Sequence, residues 1–237
     1  MRILFIRHGD PDYSVDSLTP KGRVEAELLS EKLSNTDIDD FYVSPLGRAR
    51  DTAAYTLNKV NKTAEVLPWL EEFRGKIYDL PDFPEKVRHS WNLMPDFWTK
   101  NRLLYDKDDW LSDPVMTPLN TPQIYKETCD GIDELIKKYG YTRDGMVYRC
   151  EQSCDKTIAL FCHLAISMAA ISHLLGISAP VMWQSFFMPP SSVTTLITEE
   201  RKPGIASWRC FGVGDISHLY KGGEKPSYSG FFSKEYN

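Results

Sequence analysis

Short apolar runs alternate with longer amphipathic stretches along this chain. Ile3 to Ile6 is apolar at every position, which predicts a strand buried on both faces. Similar runs predict later strands at 41–43, 64–67, 146–150, 158–162, 193–198 and 208–213. Between them, helices are predicted to begin at Thr19, Ser44 and Thr121, each of which is followed by proline. Strands that alternate with helices predict a three-layer α/β/α sandwich with a largely parallel sheet.

The stretch from Thr157 to Ser185 contains no acidic residue, lysine or arginine, and it is long enough to be a membrane span. It divides better into a buried strand at 158–162 and a helix at 165–175 that ends at Gly176. At the N-terminus, Arg7 interrupts an apolar run that is too short for a signal peptide. We therefore expect a cytoplasmic protein that does not interact with a membrane.

Residues 75–120 break the alternation and hold three of the six tryptophans. We interpret the chain as a single domain, 1–237, in which 75–120 is an inserted lid that sets specificity. Most of its aromatic side chains are expected to pack onto the main domain, and a minority to face the ligand. The side chains that supply apolar surface or positive charge there are Trp91, Phe97, Trp98, Trp110, Arg88, Lys100, Arg102 and Lys107. The polar stretch from 221 to 237 is predicted to be a surface tail.

The net charge of −5 is unfavourable for a broad nucleic-acid interface, which needs a positive surface. A small phosphate site remains compatible with it, because such a site needs only a few arginines. The five cysteines are odd in number and irregularly spaced, so we expect free thiols. No His/Cys cluster has the spacing of metal ligands, so no metal is predicted. The sequence is compatible with a homodimer.

Residues suited to bind an anion follow several of the predicted strands. Arg7 and His8 come directly after the first strand, and His163 follows the strand at 158–162. Arg48 lies in the first turn of the second helix, where the helix dipole disfavours a cation unless an anion is bound. Ligand sites in α/β sheets gather at the carboxyl ends of the strands. These residues are therefore expected to meet at one edge of the sheet.

Several motifs together resemble the histidine phosphatase superfamily, branch 1, whose best-known members are the cofactor-dependent phosphoglycerate mutases. They are R-H-G at 7–9, L-T-P-K-G-R at 18–23, S-P-L-x-R-A-x-x-T-A at 44–53, a glutamate after the third strand, and the late histidine at 163. The resemblance covers nearly the whole chain. It implies a phosphoglycerate-mutase-like fold and a phosphomonoester hydrolase that needs no metal and no cofactor.

The same resemblance assigns roles to individual residues. His8 would be the nucleophile that becomes phosphorylated, which suits a neutral imidazole near pH 7. Glu72 would donate a proton to the leaving group and later activate water; Glu71 stays an alternative. The groups implied to surround the phosphoryl oxygens are Arg7, Arg48 and His163. The implied substrate is a small phosphorylated metabolite or a phosphopeptide.

The chain also departs from the family pattern. Leu164 stands where glycine usually follows the second histidine, and the spacer between Gly9 and Leu18 is short. The arginine pair that phosphoglycerate mutases use for the substrate carboxylate is missing, which favours a hydrolase. The alternatives are a phosphoglycerate mutase-type phosphotransferase and a catalytically idle phosphate-binding regulatory protein. The intact set of site residues counts against the second of these.

Overall fold

A mixed eight-stranded sheet with helices on both faces organises the protein. The computed structural model describes residues 1–77 and 89–231. Within these residues the strands are β1 (Arg2–Arg7), β2 (Pro11–Asp12), β3 (Ser17–Leu18), β4 (Asp40–Val43), β5 (Glu65–Val66), β6 (Thr142–Asp144), β7 (Val147–Arg149), β8 (Thr157–Cys162), β9 (Val193–Lys202) and β10 (Ile205–Asp215). The helices are α1 (Pro20–Leu33), α2 (Gly47–Val60), α3 (Pro95–Trp98), α4 (Thr121–Lys137), α5 (Leu164–Leu175), α6 (Ala179–Ser185) and α7 (Ser217–Gly222).

The strand order in the large sheet is β5-β4-β8-β1-β9-β10-β7-β6, and β2 pairs separately with β3. Strands β5, β4, β8 and β1 are parallel to one another. The other half, from β9 to β6, is antiparallel. The predicted α/β sandwich is confirmed, with its parallel part confined to the half of the sheet that contains β1 and β8.

Two apolar clusters lie on opposite faces of the sheet, because successive side chains of a strand point to opposite sides. Leu4 and Ile6 of β1 join the cluster that contains Leu29 of α1 and Ala53 of α2. Ile3 and Phe5 face the other way, into the cluster that α4 and α5 complete. This alternation produces the three layers.

Most of the predicted elements form, with three local corrections. Helix α2 begins at Gly47 rather than directly after Ser44, because Leu46 is its N-cap. On α1, Val24 is exposed while Glu25 is fully buried, the reverse of what hydrophobicity alone predicts. Helices α6 and α7 and strand β6 were not predicted. No helix in the described part of the chain is both long and apolar enough to cross a membrane.

The described part of residues 75–120 contributes directly to the core. Trp110 is fully buried, with its ring 5.6 Å from that of Trp183 and edge-on to it. Leu93 and Leu104 are also buried. Packing of these residues onto the main domain agrees with the expectation for most of the segment. Arg88 lies outside the described residues, and the role of the segment as a lid stays a prediction.

The C-terminal stretch is not simply the surface tail that its polar composition predicted. Ser227 is buried, and its hydroxyl donates to Asp10 in the loop after β1. Lys21 of α1 binds the carbonyl oxygen of Lys225 and pairs with Glu224 at 2.5 Å. Residues 224–229 therefore pack against the elements that carry His8.

Candidate active site

The ends of three parallel strands bring the predicted site residues together. Strands β1 and β8 pair with Arg7 opposite Cys162, so His8 and His163 leave the sheet side by side. Their ring centroids are 5.1 Å apart. Strand β4 pairs with β8 on its other edge, and Ser44 follows the last residue of β4. The parallel register thus sets the two histidines side by side and places Ser44 on the neighbouring strand, one residue before their level.

The backbone after His8 runs against the first turn of α1. A Cβ at Gly22 would lie 2.2 Å from the carbonyl oxygen of Asp10, and one at Gly9 would lie 2.6 Å from that of Gly22. Only glycine fits on both sides of such an approach. The N–H of Gly9 also donates to Thr52 Oγ1 of α2 at 3.0 Å. These contacts explain the glycines of the R-H-G and L-T-P-K-G-R motifs.

His8 is held as a neutral imidazole with a defined proton position. The side chain is only 2% exposed, and its Nδ1 lies 2.7 Å from the carbonyl oxygen of Gly9. Because a carbonyl oxygen can only accept, Nδ1 carries the proton and Nε2 keeps its lone pair. Burial, followed by the nearby charge of Arg7, holds the pKa of His8 well below its usual range. His8 therefore offers Nε2 as a nucleophile at neutral pH.

His163 is oriented by Ser44, which the sequence pattern placed at the start of a helix and in the motif at 44–53 without assigning it a role in the site. Ser44 Oγ lies 2.8 Å from His163 Nε2 and accepts the N–H of Leu46 at 3.3 Å. A hydroxyl that donates to Nε2 leaves the imidazole proton on Nδ1, which faces no other partner within the described chain. Burial, and then the neighbouring His8, hold the pKa of His163 well below its usual range.

Arg7 is fixed by main-chain carbonyls from two distant segments. Its Nη1 donates to the carbonyl oxygen of Met188 and its Nη2 to that of Ser229, both at 2.7 Å. The guanidinium also lies over the Phe187 ring, 5.6 Å from its centroid. The Ser229 contact places the C-terminal stretch directly on the site. Both terminal nitrogens are thereby engaged, and the side chain has no freedom to swing away.

Arg48 is held by the loop between β2 and β3. Its Nη1 donates to Asp16 Oδ1 at 2.5 Å, while Asp16 Oδ2 accepts the N–H of Gly47 at 2.7 Å. Asp16 adopts a left-handed conformation, with φ of 48°, that directs its carboxylate to the start of α2. Tyr13 of the same loop packs its ring 5.4 Å from the guanidinium carbon. One carboxylate therefore caps the helix and anchors its first-turn arginine.

Glu72 reaches the first turn of α5, the helix that follows His163. Its Oε1 accepts the main-chain N–H groups of Phe73 at 2.8 Å, Ala165 at 3.1 Å and Ile166 at 3.0 Å. Burial raises the pKa of this carboxyl, and these N–H groups and the two site arginines oppose the shift. The carboxyl is therefore closer to holding a proton at neutral pH than an exposed glutamate is.

The other acidic candidate points elsewhere. Glu71 forms a 2.5 Å ion pair with Arg74, and more than a third of each side chain is exposed. Leu164, the residue in place of the family glycine, begins α5 and packs its side chain against the apolar core. The geometry thus separates Glu72 from Glu71 and places the side chain of Leu164 against the apolar core.

Three buried N–H groups around His8 have no hydrogen-bond partner among the described residues: Arg7 Nε, Arg48 Nε and His163 Nδ1. Both arginines act electrostatically on both histidines, so the groups share one site. A buried donor without an acceptor costs about 1–3 kcal/mol. An anion with several oxygens satisfies such donors. Over residues 1–77 and 89–231, no three His, Cys, Asp or Glu side chains form a cluster that could hold a metal ion.

The candidates in the 75–120 segment lie at different distances from this site. Trp91 donates from Nε1 to the carbonyl oxygen of Phe73, the residue after Glu72, at 3.1 Å. Lys107 lies beside Gly176 at the opposite end of α5, about 18 Å along the helix axis from His163. Lys100 and Arg102 are exposed. Through this bond to the residue after Glu72, Trp91 lies next to the site.

Sequence reasoning missed several residues that orient the site. Ser44 had a usable signal, because it directly follows a parallel strand, as His8 and His163 do on the adjacent strands. The carboxylate of Asp16 and the main-chain carbonyls of Met188 and Ser229 had no motif that pointed to them. Their contributions depend on distant segments that fold onto the site.

Comparison with known proteins agrees with this geometry. Residues 3–106 match the model of the histidine phosphatase superfamily, branch 1. The chain is 36% identical over 106 residues, 41% of its length, to the serine/threonine-protein phosphatase Pgam5, mitochondrial, of Caenorhabditis elegans. It is 38% identical over 69 residues, 25% of its length, to a 2,3-bisphosphoglycerate-dependent phosphoglycerate mutase of Thermoplasma acidophilum. These matches span only 35% and 34% of the two relatives.

A solved structure extends the likeness over the whole fold. It is a mutant phosphoserine phosphatase from Entamoeba histolytica in complex with phosphoserine, with a TM-score of 0.61 and 18% identity. The superposition covers 92% of this chain and 98% of the other. The family-model match over residues 3–106 confirms the resemblance found from the motifs, and the superposition shows that the fold is shared over most of the chain.

Proposed function

We propose that this protein hydrolyses phosphomonoesters through a phosphohistidine formed on His8. The observation that carries the proposal is the combination of a buried neutral imidazole with a free Nε2 and three unpartnered N–H donors around it. A nucleophile beside donors of this kind suits transfer of a phosphoryl group, whose charge spreads over three oxygens. The phosphatase relatives support the same reaction class.

In the first step, His8 Nε2 attacks phosphorus and the bond from phosphorus to the ester oxygen breaks. Glu72 donates its proton to the departing oxygen, and the raised pKa of this carboxyl supports that role. Arg7, Arg48 and His163 neutralise the charge on the transferring oxygens. The leaving group departs as a neutral alcohol, and His8 carries the phosphoryl group.

In the second step, Glu72 is a carboxylate and accepts a proton from water as the water oxygen attacks phosphorus. The bond between phosphorus and His8 Nε2 breaks, inorganic phosphate leaves, and the imidazole is neutral again. His8 Nδ1–H stays bonded to the Gly9 carbonyl throughout, which keeps the phosphoryl group on Nε2. No redox or metal-bound step enters this cycle.

The proposed substrates are small phosphorylated metabolites or phosphopeptides. The E. histolytica neighbour is bound to phosphoserine, and the C. elegans relative is named as a serine/threonine-protein phosphatase. We further propose that the 75–120 segment selects among such substrates, with Trp91, which bonds the residue after Glu72, as a described aromatic candidate. A panel of phosphoserine, 3-phosphoglycerate and a phosphoserine peptide separates these classes.

The proposal is tested by trapping the intermediate. Rapid quenching during turnover of a labelled phosphomonoester should yield acid-labile, base-stable phosphate on His8. His8→Ala should abolish both the label and turnover. His173→Gln is the matched control, because His173 lies near the far end of α5 and pairs with Asp133. If His8→Ala retains wild-type turnover, the proposed mechanism is wrong.

A phosphoglycerate mutase-type reaction would leave a different signature. It would move the label from phosphohistidine to a second substrate molecule rather than to inorganic phosphate. A phosphate-binding protein without catalysis would bind phosphate through Arg48 and form no labelled His8. Either result replaces hydrolysis as the function.

A further inference from the structure

One peptide unit joins His8 to a buried glutamate that has no part in the proposed chemistry. The Gly9 carbonyl oxygen accepts from His8 Nδ1 at 2.7 Å. The N–H of the same peptide, which belongs to Asp10, donates to Glu25 Oε2 at 2.8 Å. The carbonyl and the N–H of a trans peptide point in opposite directions. His8, the peptide and Glu25 therefore form a continuous chain of two hydrogen bonds.

Glu25 is built into this position. It is fully buried on α1, one turn beyond Gly22, where the backbone of Asp10 crosses the helix. Its other oxygen, Oε1, has no hydrogen-bond partner within the described chain and lies 3.7 Å from Lys21 Nζ. Burying a carboxylate is costly, so a fully buried glutamate bonded to the amide that follows Gly9 points to a role for its charge.

Charged and polar groups face Glu25 from each element packed against it. On α1 itself, Lys21 favours the carboxylate, and Lys21 is also paired with Glu224 of the C-terminal stretch. From the loop after β1, the charge of Asp10 disfavours the carboxylate while its N–H favours it. The main-chain N–H of Ser227 also favours the carboxylate, and Arg7 at the end of β1 interacts electrostatically with it.

We propose that Glu25 is a positioning residue whose carboxylate, acting through the Gly9–Asp10 peptide, polarises the Gly9 carbonyl and so makes His8 a better nucleophile. This inference rests on the proposed phosphohistidine mechanism. Positive charge develops on the imidazole as Nε2 bonds to phosphorus, and Nδ1–H becomes a stronger donor. A carbonyl whose peptide N–H is bonded to an anion is the stronger acceptor, because hydrogen bonds in a chain polarise one another. The carboxylate thus stabilises the transition state more than it stabilises the free enzyme, and the reaction is faster.

The size and pH range of the effect follow from the contacts. Hydrogen bonds to charged groups exceed neutral ones by about 1 kcal/mol, which corresponds to a rate factor of about five. Burial raises the pKa of Glu25 to about 7. The carboxylate, and with it the rate advantage, is present above that pH and is lost as the pH falls below it.

Glu25→Gln tests the proposal, because glutamine keeps an oxygen to accept the Asp10 N–H but carries no charge. The quantity to measure is kcat/KM for p-nitrophenyl phosphate, which reports the steps up to phosphohistidine formation, from pH 5.5 to 8.5. The ratio of wild type to variant should be near one at low pH and rise to about fivefold, with a midpoint about 7. Glu27→Gln, an exposed position on the same helix, should give a flat ratio.

A second measurement does not depend on turnover or on the variant. The His8 Nδ1–H proton, assigned by its loss in His8→Ala, should move downfield in the wild-type NMR spectrum as the pH rises through about 7. If the wild type has no phosphatase activity, the proposed function is wrong, but the resonance still tests the hydrogen-bond chain from Glu25 through the Gly9–Asp10 peptide to His8. If the wild type is active and the ratio of its kcat/KM to that of Glu25→Gln does not depend on pH, the proposed role of Glu25 is wrong. If Glu25→Gln does not fold, the proposed role of Glu25 is still refuted when the wild-type His8 Nδ1–H resonance stays constant from pH 5.5 to 8.5.

Discussion

Removal of one hydroxyl, in Ser44→Ala, should damage the site without touching a proposed catalytic residue. Ser44 is fully buried at the end of β4 and bonds His163 Nε2 at 2.8 Å. His163 is also fully buried, and its Nδ1 has no partner within the described chain. Without the hydroxyl, neither ring nitrogen of His163 has a defined partner within the described chain. Neither the tautomer nor the rotation of the ring is then specified.

The expected magnitudes follow from this geometry. A buried polar group left without a partner costs about 1–3 kcal/mol, so the free energy of unfolding should fall by about that amount. Loss of the partner that orients a metal-binding histidine costs roughly 10–100-fold in activity, and we expect the same scale for kcat here. KM should change less, because Arg7 and Arg48 keep their own anchors.

The assay combines urea unfolding with kcat for p-nitrophenyl phosphate. Ser30→Ala is the matched control, since Ser30 is also buried on α1 and its hydroxyl bonds the carbonyl oxygen of Glu27 at 2.7 Å and the ammonium group of Lys59 at 3.3 Å. It should lose a similar amount of stability and keep its activity. If Ser44→Ala retains wild-type kcat, or if Ser30→Ala loses as much activity, the assigned role of Ser44 in orienting His163 is refuted.

Two further predictions concern the proton donor and the C-terminal stretch. Glu72→Gln should reduce turnover of alkyl phosphates far more than that of p-nitrophenyl phosphate, whose leaving group needs little protonation; equal losses would argue against general acid catalysis. A chain ended after Lys225 lacks the Ser229 carbonyl that holds Arg7, and its kcat/KM should fall by roughly tenfold or more. Ser229→Ala retains that carbonyl and should keep full activity, so an equal loss in this variant would contradict the assignment.

The sequence by itself determined the parts of this protein that depend on local pattern. A run of apolar residues at 3–6 specifies a buried strand. The R-H-G motif that follows places Arg7 and His8 at the carboxyl end of this strand. The same logic placed Arg48 in the first turn of a helix and His163 between a strand and a helix. Because parallel strands end at one edge of the sheet, these local assignments were enough to predict that the residues meet.

The tertiary structure decided which neighbouring groups orient those residues. Glu71 and Glu72 are adjacent and chemically alike, and only the packing of α5 brings Glu72 to its N–H groups while Glu71 pairs with Arg74. Glu25 occupies a helical position that its charge predicts to be exposed. It is buried because two glycines let the backbone after His8 approach α1 closely.

The anchors of Arg7 show why the sequence could not supply this part. Both are main-chain carbonyl oxygens, from Met188 and Ser229, which lie 181 and 222 positions away along the chain. Every residue has such a carbonyl, so neither residue type nor spacing distinguishes the two that bind. Only the folded path of the chain brings them to the guanidinium, and that path results from the packing of the whole molecule rather than from any local pattern.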